Sequence, residues 1–520
     1  TLVVRKIPFV KSYTIGKDGG DWIAYLSSDT AYISPKALKD KESGMPLVVE
    51  NLNSGIKKVV NWVDDFSMSK NGMRIAASIN VHESDSIAED GMMLMLLPDT
   101  TVQMVDSKKC FYGAPVFNED GSMMAFTASN DSVETGTKKA ELFLSKIEGS
   151  VIDTQNIYVL QAVNEGKYPN LRPPYITDES KRDSIMAEMR RRVAAMAGDS
   201  VFVNQYSVPS FSHNGKRLFI GVAPYVAPDD TTIVDFERAE LDIWRWDAPF
   251  TPPQENHDVD KARKKTYPVM IDLETGKEIL LTYNPLENVG VEDRGNSQYA
   301  FIQDPSKNII SHQWDYYAFE DLYVVDLVSG IKEYIGEAPV DMADMSPNGK
   351  YVYWYDKRNI YAYDVASKKT ICITDSMPYP IWDEEQDMPM ERMPYGEMGW
   401  LADDAGLMIY DRHDIWLIDP KGLNAPVCIT KEEGRKANRR YKYIKTDFEK
   451  RFFENGDEVL LDVFDYTTKE NGFALLKIGK PMSPAIKVVD KYKFTQIRKA
   501  KEAPVYVYQK ANFNTSPNVY

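Results

Sequence analysis

A tight turn leading into an apolar strand recurs along the 520 residues. It reads SKNGMRIAASI from Ser69, NEDGSMMAFTA from Asn118, SHNGKRLFIGV from Ser212 and SPNGKYVYWYD from Ser346. Weaker copies are GKDGGDWIAYL from Gly16, ADDAGLMIYDR from Ala402 and FENGDEVLLDV from Phe453. A polar pair followed by glycine supplies the positive φ that a hairpin turn requires. The residues after it alternate, so that one side of the strand can face a core.

A second signature follows in most copies: an aromatic-rich strand, a turn and a further strand. Examples are YPVMIDLETGKEILLT from Tyr267, LYVVDLVSGIKEYIG from Leu322, IYAYDVASKKTICIT from Ile360 and IWLIDPKGLNAPVCIT from Ile415. Together the two signatures give four strands per unit. The turn glycines Gly20, Gly72 and Gly121 lie about 50 residues apart, as do Gly349, Gly406 and Gly456, which is the repeat length of a propeller blade. The expected fold is therefore all-β, a β-propeller of seven or eight four-stranded blades occupying residues 1–520. An aromatic content of 12% suits such half-buried pleated surfaces.

Two intervals exceed one blade. The first, about 150–206, contains DESKRDSIMAEMRRRVAAMAG, where Ile185, Met189, Val193 and Met196 share one helical face. It predicts a helical insertion, with a substantial helix only near Ser180 to Ala197. The second, about 223–265, is rich in proline and acids and predicts an irregular excursion with no continuous strand. Cys372 and Cys428 stand in matching contexts, TICIT and PVCIT, as equivalent strands of successive repeats would. The chain opens on Thr1 without an initiator methionine, which suggests a fragment or processed form.

The formal net charge is −16, which opposes binding to a nucleic-acid backbone or an anionic membrane surface. No run approaches 18 apolar residues, so no membrane span is expected. No Gly-x-Ser-x-Gly elbow occurs, GNSQYA from Gly295 being the nearest sequence. The five histidines, His82, His213, His257, His312 and His413, lie in no metal-binding spacing. There is no phosphate-binding glycine loop and no Cys-x-x-Cys pair, so no catalytic residue, cofactor or metal is expected in these residues. One acidic cluster stands out by context. YPIWDEEQDMPMERMPYGEMGW, from Tyr379 to Trp400, places Asp383, Glu384, Glu385 and Asp387 in a loop rich in proline and methionine. It is either a solvated connection between blades or a site for a cationic group such as a peptide amino terminus.

The stretch from Trp382 through PYGEMGWLADDAGLMIYDRHDIWLIDPKG to CIT resembles the propeller of bacterial, Bacteroidetes-like peptidases of the prolyl-oligopeptidase family. ELDIWRWD from Glu240 is similar to a further segment of those propellers. The tail FTQIRKAKEAPVYVYQKANFNTSPNVY, within about 492–520, resembles their exit segment toward the hydrolase domain. The resemblance implies a substrate-gating and selecting propeller of a serine exopeptidase or oligopeptidase. It further implies a peptide substrate, a catalytic α/β-hydrolase domain beyond Tyr520, and an exported, periplasmic location. In the dipeptidyl-peptidase branch a pair of propeller glutamates binds the substrate's amino terminus. Glu384 and Glu385, with Asp387, resemble such a group in composition. The competing reading is a non-catalytic protein-binding propeller scaffold of the bacterial envelope.

Overall fold

The structure, a computed structural model, describes residues 6–33, 43–82, 85, 87–130, 136–157, 160–161, 201–226, 234, 237, 242–282, 284–315, 317–501 and 503–520. The chain forms two compact units, Thr1–Val289 with Arg294–Asn296, and Gly290–Asp293 with Ser297–Tyr520.

In the first unit, a seven-stranded antiparallel sheet runs in chain order through Val10–Ile15, Trp22–Ser27, Met45–Asn51, Lys57–Met68, Arg74–Ile79, Gly91–Leu96 and Thr101–Asp106. Its long central strand pairs with Met45–Asn51 through its first half and with Arg74–Ile79 through its second, so two blades share it. The third blade runs from Phe111 to Ile157, and the fourth joins Ser210–Phe211, Arg217–Val222, Tyr267–Asp272 and Glu278–Leu280.

Four more four-stranded sheets follow. The fifth blade starts on Asn288–Val291, a strand on the division between the units, and ends on Lys332–Pro339. The sixth joins Ala343–Met345, Tyr351–Asp356, Asn359–Asp364 and Lys369–Cys372. The seventh joins Glu397–Trp400, Leu407–Tyr410, Ile415–Ile418 and Val427–Cys428. The eighth joins Arg439–Tyr443, Glu458–Asp465, Asn471–Lys477 and Ala485–Asp490. The exit segment forms a three-stranded sheet, Lys493–Lys499, Tyr506–Asn512 and Thr515–Val519. The fold class is thus the expected one: all-β, in propeller blades, with eight blades among the described residues. Cys372 and Cys428 occupy the fourth strands of consecutive blades, as their matching contexts suggest.

The recurrent turn does more than reverse the chain. In SKNG the Ser69 hydroxyl donates to Asn71 Oδ1 at 2.8 Å and accepts the Arg74 N–H at 3.0 Å. Ser212 repeats this with Asn214 (2.8 Å) and Arg217 (2.9 Å). Each turn then grips the next blade. The Arg74 guanidinium donates to the Gly121 carbonyl, and that of Arg217 to the carbonyls of Gly295 and Asn296. In the second unit Asp404, 2% exposed, accepts from the Ser346 hydroxyl (2.6 Å) and from the backbone N–H groups of Asn348 and Lys350. Gly121 has φ 75°, and a Cβ there would stand 3.0 Å from the Ser69 Cβ. Glycine is required for both conformation and contact.

The helix forecast near Ser180 to Ala197 lies outside the described residues. The expectation that this would be the only substantial helix needs correction, because Pro252–Arg263 is a 12-residue α-helix within the supposed irregular excursion. Proline at its start, Glu255 in the first turn and Lys261 and Arg263 in the last suit the helix ends. It buries only Pro252, so it has no apolar stripe for a periodicity argument to detect.

Breaking the grip between turns should be costly. Asp404→Ala strands the Ser346 hydroxyl and two backbone donors, and should lower stability by about 2–3 kcal/mol. Gly121→Val forces an unfavourable φ and should cost about 1–3 kcal/mol. Thermal unfolding followed by circular dichroism should show both midpoints well below that of Lys480→Ala, a surface control. Midpoints equal to that control would contradict the assignment.

Candidate functional site

The strand Tyr351–Asp356 separates two cores by simple alternation. Tyr351, Tyr353 and Tyr355 pack with Trp400, Ile409 and Trp416 of the seventh blade. Val352 and Trp354 pack with Phe301, Leu322 and Val324 of the fifth. Trp400 stacks on Tyr351 with centroids 5.9 Å apart and meets Tyr353 edge-on at 5.2 Å. These aromatic contacts tie the second strand of the sixth blade to the first strand of the seventh.

The first strands of the sixth and seventh blades each carry a carboxylate: Asp344 in Ala343–Met345 and Glu397 in Glu397–Trp400. Pairing of the latter with Leu407–Tyr410 shifts register between Glu397 and Gly399, a bulge made possible by φ 132° at Gly399. The Tyr353 hydroxyl donates to Glu397 Oε1 at 2.7 Å. Asp344 and Glu397 have no ion-pair partner among the described residues.

Asp344, Tyr353 and Glu397 form a wall common to two recesses of the second unit. The first, about 260 Å³, has an apolar floor that includes Tyr355, Ile360, Ile381 and Ile409, and Asp341 also lines it. The second, about 400 Å³, is lined by Trp400, Tyr443, Lys445, Phe448, Arg451 and Phe453, among others. Glu397 and Asp344 are exposed, but they face solvent through a recess, whose walls replace part of their hydration. This desolvation pushes the Glu397 carboxyl up to about 7; Asp344 pushes the same way and the Tyr353 hydroxyl opposes. Desolvation also raises Asp344, and it raises Tyr353 well above the ordinary phenol range. In the fifth blade, burial raises Glu320 to about 7 against the hydrogen bond from Gln303.

The loop acids predicted from sequence sit elsewhere. Glu384, Glu385 and Asp387 are exposed, and none of them lines either recess. The Glu384 N–H donates to the Tyr395 hydroxyl at 3.1 Å, while Glu385 is ion-paired with Arg412. The loop itself is well tied: the Tyr355 hydroxyl donates to the Arg392 carbonyl at 2.6 Å, and Arg358 pairs with Glu391 at 3.0 Å. Sequence reasoning passed over Asp344, Tyr353 and Glu397. The available signal was a carboxylate inside a blade's first strand, two residues before the turn serine in the case of Asp344.

The histidines with described side chains are structural or exposed. His82 stacks on Trp62, the His413 ring bonds the Arg439 carbonyl oxygen at 2.8 Å, His213 lies between Glu119 and Arg294, and His257 is exposed. No cluster of three or more metal-ligating side chains occurs among the described residues. Among them, too, no helix is long and apolar enough to cross a membrane.

No family model matches the chain. No curated protein matches it either. Among solved structures it is similar to the β-propeller domain of the Trilobed protease from Pyrococcus furiosus, at 10% identity over 90% of this chain and 95% of that one, with TM-score 0.30. It is also similar to Porphyromonas gingivalis dipeptidyl peptidase 4, at 11% identity over 96% of this chain and 64% of that one, with TM-score 0.32. A third is the Pyrococcus horikoshii acylaminoacyl peptidase, at 12% identity over 98% and 50%, with TM-score 0.29. The chain spans between half and two-thirds of the length of the latter two. These peptidases, and TolB from Acinetobacter baumannii, are among the solved structures to which the chain is similar.

The raised affinity of Glu397 for its proton ties stability to pH. Unfolded, this carboxyl titrates near 4.5; folded, near 7. Its contribution is therefore fully present below about pH 4.5 and is lost as pH rises through 7. Between pH 5 and 8 the melting temperature of the native chain should fall relative to that of Glu397→Gln, which cannot ionise. Parallel curves would contradict the shift.

Proposed function

We propose that the chain is the substrate-gating and selecting propeller of a serine exopeptidase or oligopeptidase. Its recess at Asp344, Tyr353 and Glu397 receives the free amino terminus of a peptide. The observation that carries this reading is a pair of carboxylates, neither ion-paired among the described residues, that line one recess without a cation and share the other with Lys445, Lys450 and Arg451. Each has lost part of its hydration to the recess walls, and one hydrogen bond apiece, from the Tyr353 hydroxyl to Glu397 and from the Met345 N–H to Asp344, offsets that loss only in part. An ammonium group supplies the missing positive charge together with three donors, and such charge-assisted bonds exceed neutral ones in strength. The floor of Ile360, Ile381 and Ile409 suits the apolar side chain of the first residue. Glu384, Glu385 and Asp387 act outside this recess as acids that attract a cation. Their contact is worth little each, because exposed pairs are screened and Arg412 already holds Glu385. Hydrolysis belongs to a catalytic α/β-hydrolase domain placed beyond Tyr520.

The reading is tested by titrating Ala-Ala-Ala-amide and its N-acetyl form into the chain at pH 8 by calorimetry. The free-amino peptide should bind at least about tenfold tighter, the equivalent of about 1.4 kcal/mol. Glu397→Gln should remove most of that preference, and Glu384→Gln with Glu385→Gln only a small part. Equal binding of the two peptides to the native chain would contradict the assignment. A preference lost only in the Glu384/Glu385 variant would move the site to the loop.

A further inference from the structure

The second recess holds a donor set that the amino-terminus reading leaves unused. Three cations line it. Lys450 is paired with Asp457 at 2.6 Å, and Arg451 with Glu292. Lys445 is exposed and has no carboxylate or other acceptor among the described residues. Trp400, only 2% exposed, also lines this recess, with its indole nitrogen buried beside the Tyr353 hydroxyl. Phe448, 69% exposed, and Phe453 add an apolar wall.

We infer that this recess receives a carboxylate of the same ligand, with Lys445 as the selecting cation. The inference rests on the reading of the Asp344–Glu397 wall as an amino-terminus site. Because both recesses share that wall, an amino group bound there lets the rest of the ligand extend toward Lys445. The acids of the wall repel an isolated carboxylate, and Lys445 repels an isolated cation. A ligand carrying both charges avoids each repulsion and gains both attractions. The preferred class is a short peptide with a free amino terminus and a carboxylate one or two residues further on. That carboxylate is either the terminal one or an Asp or Glu side chain, since the chemistry at Lys445 is the same.

Calorimetric titration at pH 8 of Ala-Ala, Ala-Asp-amide and Ala-Ala-amide distinguishes the sources. The native chain should bind Ala-Ala or Ala-Asp-amide, or both, about fivefold tighter than Ala-Ala-amide, the worth of roughly one exposed ion pair. The probe that shows the advantage identifies the carboxylate's origin. In Lys445→Met, which keeps the aliphatic stem, the ratio should fall to about one. No carboxylate advantage in the native chain, or an advantage that survives in Lys445→Met, overturns the inference while leaving the amino-terminus reading intact. Failure of Ala-Ala-amide to bind more tightly than N-acetyl-Ala-Ala-amide would overturn both.

Discussion

A blade presents two broad apolar faces and cannot bury either one alone. What sets its position against the next is the grip at the turn between first and second strands. Ser69 orders its own turn, and Arg74 beyond it reaches the carbonyl of Gly121 in the following blade. Ser212 and Arg217 repeat the device toward Gly295. Asp404 performs it in reverse, reaching back to the turn at Ser346. These contacts are polar and directional, so they fix the register of packing that nondirectional apolar burial leaves loose. The alternation of Tyr351, Val352, Tyr353 and Trp354 between two cores works only once that spacing is set.

The candidate site is a local departure from this economy. The turns at Ser69, Ser212 and Ser346 satisfy their polar groups, whereas Asp344 and Glu397 sit in first strands with one hydrogen bond each and no ion pair among the described residues. Exchanging either for an apolar residue would relieve the desolvation cost, so the arrangement is poorly explained by stability alone. It fits a surface prepared for a positively charged group, which regains on binding what folding gave up. The neighbouring recess, where Lys445 has no ion pair among the described residues, carries the opposite need.

The blades were legible because their turns have strict local requirements: a positive φ for Gly72 or Gly121, and a short hydroxyl side chain that can bond within five residues. Strand alternation then gives the core faces. The helix at Pro252–Arg263 escaped because it is polar on every side, and its capping signals lay in a stretch dominated by proline and acids. The site was less legible for a different reason. Glu384 and Glu385 draw the eye by local density of charge, but Arg412, 27 residues away in sequence, already pairs with Glu385. Glu397 has no such local mark. Its character comes from Tyr353 and Asp344, 44 and 53 residues earlier, and a linear reading does not bring these together.

The central claim is that the Asp344–Tyr353–Glu397 wall is a partly desolvated acid group, without an ion-pair partner among the described residues, that receives a cation. Its most direct test is a carbon-detected NMR titration of the Glu397 carboxyl, assigned by loss of its signal in Glu397→Gln. The free chain should titrate at about 7. Addition of a peptide with a free amino terminus should move that value downward, because a bound ammonium stabilises the ionised carboxylate. A value near the ordinary 4.5 in the free chain, or one unmoved by saturating peptide, would contradict the account.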